Sequence, residues 1–156
     1  AKINNVPVVK RWGFAVEINA LWYNAIKFAL EINTTKKFQD SWKDVPSKIE
    51  ESYSDIFWDD EKCYLADHAT YEYKDLSVRP SQLFAVALPY SPITSERKKK
   101  LILDVIKQEL LTPRGIRTLA PKNPNYKEMC VGSIQERDIA YHNGSVLPWL
   151  LAPYAE

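Results

Sequence analysis

The feature that most constrains this fold is an alternation between helical segments that are apolar on nearly every side and segments that are apolar on one side only. From Ile18 the apolar positions are Ile18, Leu21, Trp22, Ala25, Ile26, Ala29 and Ile32, with Phe28 and Leu30 adding to them. Asn24, Lys27 and Glu31 leave a thin polar stripe, so this helix is expected to be buried on most sides. A second helix begins near Pro46, with Ser47 and Glu50 at capping-box spacing and Ile49, Tyr53, Ile56 and Phe57 on one face, the pattern of an outer, half-exposed helix. Asp59-Asp60-Glu61 reads as a turn and Cys63 to Ala66 as a short extended piece. Arg79-Pro80 opens a third helix, again almost wholly apolar through Leu83, Phe84, Val86, Ala87 and Leu88 and closed by Pro89; the proline suits the first helical position and holds Arg79 outside it. Ser95 caps a fourth, with Leu101, Ile102, Val105, Ile106 and Leu110 on one side and lysines on the other. A long segment with Pro113, Gly115, Pro121 and Pro124 then leads to a fifth helical start at Ser145 to Pro148.

Such an alternation is what a double ring of helices writes, and the expected fold class is all-α. If the buried helices run in parallel, their N-termini gather at one mouth. The patches Glu17 to Asn19, Arg79 to Gln82 and Arg137 to His142 all sit at or just before those starts, so residues more than 100 positions apart would converge on one pocket.

The last patch, Arg137-Asp138-Ile139-Ala140-Tyr141-His142-Asn143-Gly144-Ser145-Val146-Leu147-Pro148-Trp149-Leu150, crowds donors, acceptors and aromatic rings around a glycine. A packed core avoids such groups unless each finds a partner. A sugar pocket needs them, because hydroxyls take directed hydrogen bonds and the ring face stacks on Trp or Tyr. The competing reading is a loop with a satisfied buried histidine and a packed tryptophan.

Charge and cysteine content close off other classes. The 156 residues suffice for one core-bearing domain, and 21 Lys+Arg against 20 Asp+Glu leave a net charge of +1, with no electrostatic pull toward nucleic acid or an anionic membrane. The basic run Arg97 to Lys100 is the solvated face of the fourth helix. No apolar run approaches the roughly 20 residues of a membrane span and no signal peptide is visible, so a cytoplasmic location is the expectation. Cys63 and Cys130 lack metal-ligand spacing and only His68 and His142 accompany them, so no metal site is expected; the two thiols are either bridged or buried.

Three motifs carry a resemblance: Val16-Glu17-Ile18-Asn19-Ala20-Leu21-Trp22-Tyr23-Asn24-Ala25, then Val78-Arg79-Pro80-Ser81-Gln82-Leu83-Phe84-Ala85-Val86, then Leu111-Thr112-Pro113-Arg114-Gly115-Ile116-Arg117-Thr118-Leu119-Ala120-Pro121 running on to the Arg137 to Leu150 patch. In order and spacing the chain resembles the glucosidase domain of the prokaryotic glycogen debranching enzymes, related to amylo-α-1,6-glucosidases. It departs from that pattern at Ser81 (usually Asn), Asn143 (Gln), Ser145 (Thr) and Leu147 (Trp, a possible stacking face). The resemblance implies an (α/α)6 toroid of six inner and six outer helices. At about 20 or more residues per helix and connection, residues 1–156 would form a single partial domain from the later part of the ring. It also implies hydrolysis of α-1,6 branch linkages in glycogen or another α-glucan, without a cofactor. The general acid is expected on an Asp-Ala-x-Leu-Trp segment before the first motif and the base on a Ser-Glu-x-Phe-Asp segment after the last, neither of which this chain contains. The isolated chain is accordingly expected to be inactive and to self-associate.

Inverting glycosidases hold two carboxyl groups about 6.5–9.5 Å apart, one to protonate the leaving oxygen and one to activate water. Glu17 and Asp138 are the candidates here to neighbour them. Glu17 is either a first-turn acid favoured by the helix dipole or a ligand for a sugar hydroxyl; Asp138 either pairs with Arg137 or lines the site. Asn19, Arg79, Gln82, Tyr141, His142 and Trp149 are the expected substrate-binding residues, and Trp22 is core or platform. The rivals are another toroid glycosidase, such as a trehalase or an oligosaccharide glucosidase, and a non-catalytic glucan-binding module.

Overall fold

A computed structural model describes residues 2, 3 and 5–155. A short hairpin, β1 (Lys2–Ile3) and β2 (Val6–Pro7), precedes β3 (Phe14–Ala15) and α1 (Val16–Ile32). Next come α2 (Lys36–Trp42), α3 (Val45–Phe57) and four two-residue strands, β4 (Trp58–Asp59), β5 (Tyr64–Leu65), β6 (His68–Ala69) and β7 (Lys74–Asp75). A 3-10 turn at Pro80–Leu83 leads into the single turn of α4 (Phe84–Ala87). The rest is α5 (Glu96–Glu109), β8 (Leu111–Thr112), β9 (Gly115–Arg117), α6 (Ile134–His142), β10 (Val146–Leu147), a 3-10 turn at Pro148–Leu150 and α7 (Leu151–Ala155).

The all-α expectation, and with it the partial (α/α)6 toroid, is overturned. Among the described residues about half are helical and 14% are strand, in four small antiparallel sheets, so the fold is mixed α/β. Most of the strands lie in the connections between helices, where pairing, some of it as hairpins and some across long stretches of sequence, satisfies backbone donors and acceptors. Among them β3 pairs with β6 in the register Phe14↔Ala69 and Ala15↔His68, and β6 with β7 as His68↔Asp75. β9 lies between β8 and β10, with Ile116 opposite both Leu111 and Leu147.

Three of the expected helices form where the residues asked for them. α5 is capped by Ser95, whose Oγ accepts from the Lys98 N–H at 3.4 Å, and it buries Ile102 and Ile106 while its lysines face water. α3 starts at Val45 with Pro46 in its first turn, and buries Tyr53 and Phe57. Its expected Ser47–Glu50 box is not made. Glu50 instead accepts a hydrogen bond from the Tyr23 hydroxyl, tying α3 to α1. A capping box does form at α6, between Ser133 and Glu136.

α1 departs from expectation in its surroundings. It buries Val16, Ala20, Tyr23 and Ile26, whereas Ile18, Leu21, Trp22, Phe28 and Ile32 are exposed, so it is buried on one face and not on most sides. The expected third and fifth helices shrink to the one-turn α4 and the five-residue α7, each entered through a 3-10 turn that begins at a proline.

The core lies between α1, α3, α5 and the strands. Tyr53, Phe57, Leu65, Leu83, Ile102, Ile106, Ile116 and Leu150 are almost wholly buried, each large apolar side chain contributing about 1.5–3 kcal/mol. The buried Tyr53 hydroxyl donates to the Val16 carbonyl at 3.0 Å, which fixes where α1 begins. Neither cysteine fits the bridged or buried alternatives: both thiols are free, Cys63 half-buried and Cys130 exposed.

Candidate functional site

The start of α1 and the end of β5 meet at a buried acid. Asp67 is 3% exposed, and its carbonyl accepts from the Val16 N–H at 3.2 Å, so the first turn of α1 and the connection between β5 and β6 share one backbone link. Arg11 closes over this junction. Its Nε lies 2.8 Å from Asp67 Oδ2, its Nη2 donates to the Asp67 carbonyl at 2.7 Å, and it forks onto Glu17 at 2.5 and 2.6 Å. Ser81 donates to Asp67 Oδ1 at 2.5 Å, and Arg79 Nε stands 3.9 Å from Oδ2. Burial opposes the charge on Asp67, but His68, Ser81, Arg11 and Arg79 outweigh it and hold the carboxyl below its ordinary pKa. Asp67 is therefore ionised at neutral pH.

Arg79 ties this junction to the C-terminal part of the chain. Held extended ahead of Pro80, it donates through Nη1 to the carbonyls of Thr118 at 3.1 Å and His142 at 2.6 Å, and through Nη2 to Asn143 Oδ1 at 2.9 Å. Thr118 adds to the clamp, its hydroxyl donating to the Tyr141 carbonyl at 3.0 Å and accepting from the Gly144 N–H at 2.9 Å. The last turn of α6 is thus pinned against β9 by side chain to backbone bonds.

Arg11, Asp67, Arg79, Ser81, Thr118 and His142 line one pocket of 180 Å³, together with Val9 and Pro80. Burial, with the Arg79 charge acting in the same direction, pushes the His142 imidazole below its ordinary pKa, so at neutral pH the ring is uncharged and able both to donate and to accept.

Of the residues singled out in the sequence, Arg79 and His142 meet in this pocket. Glu17 stands behind it, engaged by Arg11. Asn19 spends its amide on the Ala15 carbonyl at 2.8 Å, one turn back along its own helix. Gln82 is 2% exposed, accepts from the Leu65 N–H at 3.4 Å and donates to the Arg79 carbonyl at 3.3 Å, which makes it a brace beneath the pocket floor. Tyr141 is exposed and meets the His142 ring edge-on at 5.1 Å; Trp149 is exposed on the 3-10 turn, and Asp138 is half-buried on α6. Trp22 packs edge-on against Trp42 at 6.1 Å, outside the pocket.

Arg11, Asp67 and Thr118 were missed as site residues. For Asp67 a signal existed: an acid between Leu65-Ala66 and Ala69, in a stretch otherwise fit for the interior, needs charged partners. Among the described residues, no group of three or more His, Cys, Asp or Glu could hold a metal ion, and no helix is long and apolar enough to cross a membrane.

The pocket is thus walled by ionised and hydrogen-bonding groups at the joint of three chain segments. The chain belongs to the amylo-alpha-1,6-glucosidase family, whose family description matches it over residues 1–156. Comparison with curated proteins gives no match.

Proposed function

We propose that this chain supplies the sugar-holding wall of an enzyme that hydrolyses α-1,6 branch linkages in glycogen-like glucans. The observation that carries the reading is the meeting of Arg11, Asp67, Arg79 and His142 in one pocket, in a chain whose family acts on that linkage. The neutral His142 ring offers hydroxyl partners of both polarities. Tyr141 and Trp149 stand exposed on the same C-terminal segment as His142.

The wall holds sugar but does not transfer protons. Hydrolysis needs one carboxyl able to give a proton and another free to activate water. Glu17 has both oxygens on Arg11, Asp67 is ionised and surrounded by donors, and Asp138 does not line the pocket, so none of the three serves either task there. This favours binding without turnover by the chain alone. The test is calorimetry with isomaltose, trehalose and limit dextrin, alongside measurement of released glucose. Binding of the α-1,6-linked sugars without glucose release, weakened at least tenfold in His142→Ala, supports the reading. Preference for trehalose would move the substrate class, and glucose release abolished by Glu17→Gln would return the chemistry to this chain.

A further inference from the structure

The turn between β6 and β7 presents aromatic rings that the pocket does not use. Tyr71 is 87% exposed at its tip, and Trp12, just ahead of β3, is 68% exposed. The turn is held in shape: Thr70 N–H donates to the Tyr73 carbonyl at 2.8 Å, and Thr70 Oγ1 accepts from the N–H groups of Glu72 at 3.3 Å and Tyr73 at 3.1 Å. Phe14 supports Tyr71 from below, edge-on, with ring centroids 5.3 Å apart. Trp12 leaves from the same end of the sheet, because Phe14 pairs with Ala69 and Gly13 lies against the Ala69 carbonyl and the Thr70 methyl.

The pocket stands at the other end of these strands. Asp67 stands just before β6 and Tyr71 in the turn just after it, and Arg11, which lines the pocket, immediately precedes Trp12. At 180 Å³ the pocket is smaller than the roughly 300–1,000 Å³ of ordinary ligand sites, so it grips a single sugar ring. Affinity for a longer glucan has to come from contacts outside it.

We propose that Trp12 and Tyr71 form an outer stacking platform for an α-glucan chain whose end enters the Arg79 pocket. The chemistry of the patch favours a polyol over an apolar protein segment. Each ring offers a flat face for the C–H side of a pyranose, while the Tyr71 hydroxyl and the carboxylate of its neighbour Glu72 give sugar hydroxyls partners at the edges. The platform rests on the glucosidase reading above and adds a preference for chain length to it.

The test is calorimetric binding of isomaltose and of maltoheptaose by the 156-residue chain, repeated with Trp12→Ala, Tyr71→Ala and the two together. The expected result is about tenfold weaker maltoheptaose binding in the double variant, with isomaltose binding and the unfolding midpoint unchanged. Tyr71→Phe, which keeps the ring, retains most of the affinity for maltoheptaose. Unchanged maltoheptaose binding in the double variant overturns the platform and leaves the pocket reading standing. Equal loss of both ligands in a folded variant also overturns it, since the rings would then belong to the pocket. Failure of the unaltered chain to bind either sugar overturns the glucan reading and the platform with it. If the double variant unfolds, Tyr71→Ala compared with Tyr71→Phe decides by the same readout.

Discussion

Arg79 Nη1 and the His142 carbonyl oxygen are 2.6 Å apart across 63 positions of sequence, and this one bond places the last turn of α6 over the Asp67 junction. Arg79 therefore acts as a clamp as much as a pocket wall, its Nη1 and Nη2 engaged with Thr118, His142 and Asn143.

Arg79→Ala is accordingly expected to lower stability by about 2–4 kcal/mol, because three hydrogen bonds are lost and Asp67 keeps fewer compensating charges. Arg79→Lys recovers little, since an ammonium cannot reproduce the planar fork. Urea denaturation followed by circular dichroism measures this. A midpoint unchanged in Arg79→Ala would show the clamp to be idle.

Asp67 sets an acid limit on the fold. Its folded pKa is depressed, so its contribution to stability is complete above the ordinary carboxylate value of about 3.9 and is lost as pH falls through the lower folded value. Melting temperature between pH 2 and 6 should fall steeply at the acid end in the natural chain. In Asp67→Asn the curve should be lower at neutral pH and flatter in acid, and parallel curves would contradict the assignment.

Gly13 has φ +77°, and a Cβ there would lie 2.3 Å from the Ala69 carbonyl oxygen, which is backbone and cannot swing aside. Gly13→Ala should cost about 1–3 kcal/mol. Thermal unfolding of that variant beside Trp12→Ala, at an exposed neighbour, separates backbone strain from loss of a side chain; equal melting temperatures would refute the strain.

His142 should titrate below its ordinary value of about 6.5, in the direction that burial and the nearby Arg79 demand. Because its folded pKa is depressed, the unfolded chain takes up the proton first, and stability declines as pH drops below the ordinary value. Proton NMR of the imidazole reports the midpoint directly. A midpoint above 6.5 would mean that the ring is paired with an acid instead.

The helices were legible wherever a period could be read. The Ser95 cap and the Ile102–Ile106 face of α5 are written in the chain, as is the Tyr53–Phe57 face of α3. The apolar face of α1 was legible too, but periodicity says what a face prefers and not what covers it, so the exposure of Trp22 and Phe28 could not be seen. Two-residue strands such as Phe14–Ala15 and His68–Ala69 are too short to carry an alternation, which is why a mixed fold read as a helical one. Within the site, Arg79 and His142 stood out by type. The spending of Arg79 on backbone carbonyls did not, because a carbonyl has no letter in the sequence, and the same holds for Asn19 and its bond to Ala15.

The clamp also sets when in folding the pocket exists. Its bonds join Arg79 to partners 39 and 63 positions away, closures that follow the local winding of α1, α3 and α5 in an unfolded chain. A molecule halted early would hold its helices and present no pocket. A ligand of that pocket would then bind only completed molecules, and would slow unfolding while leaving the folding rate unaltered.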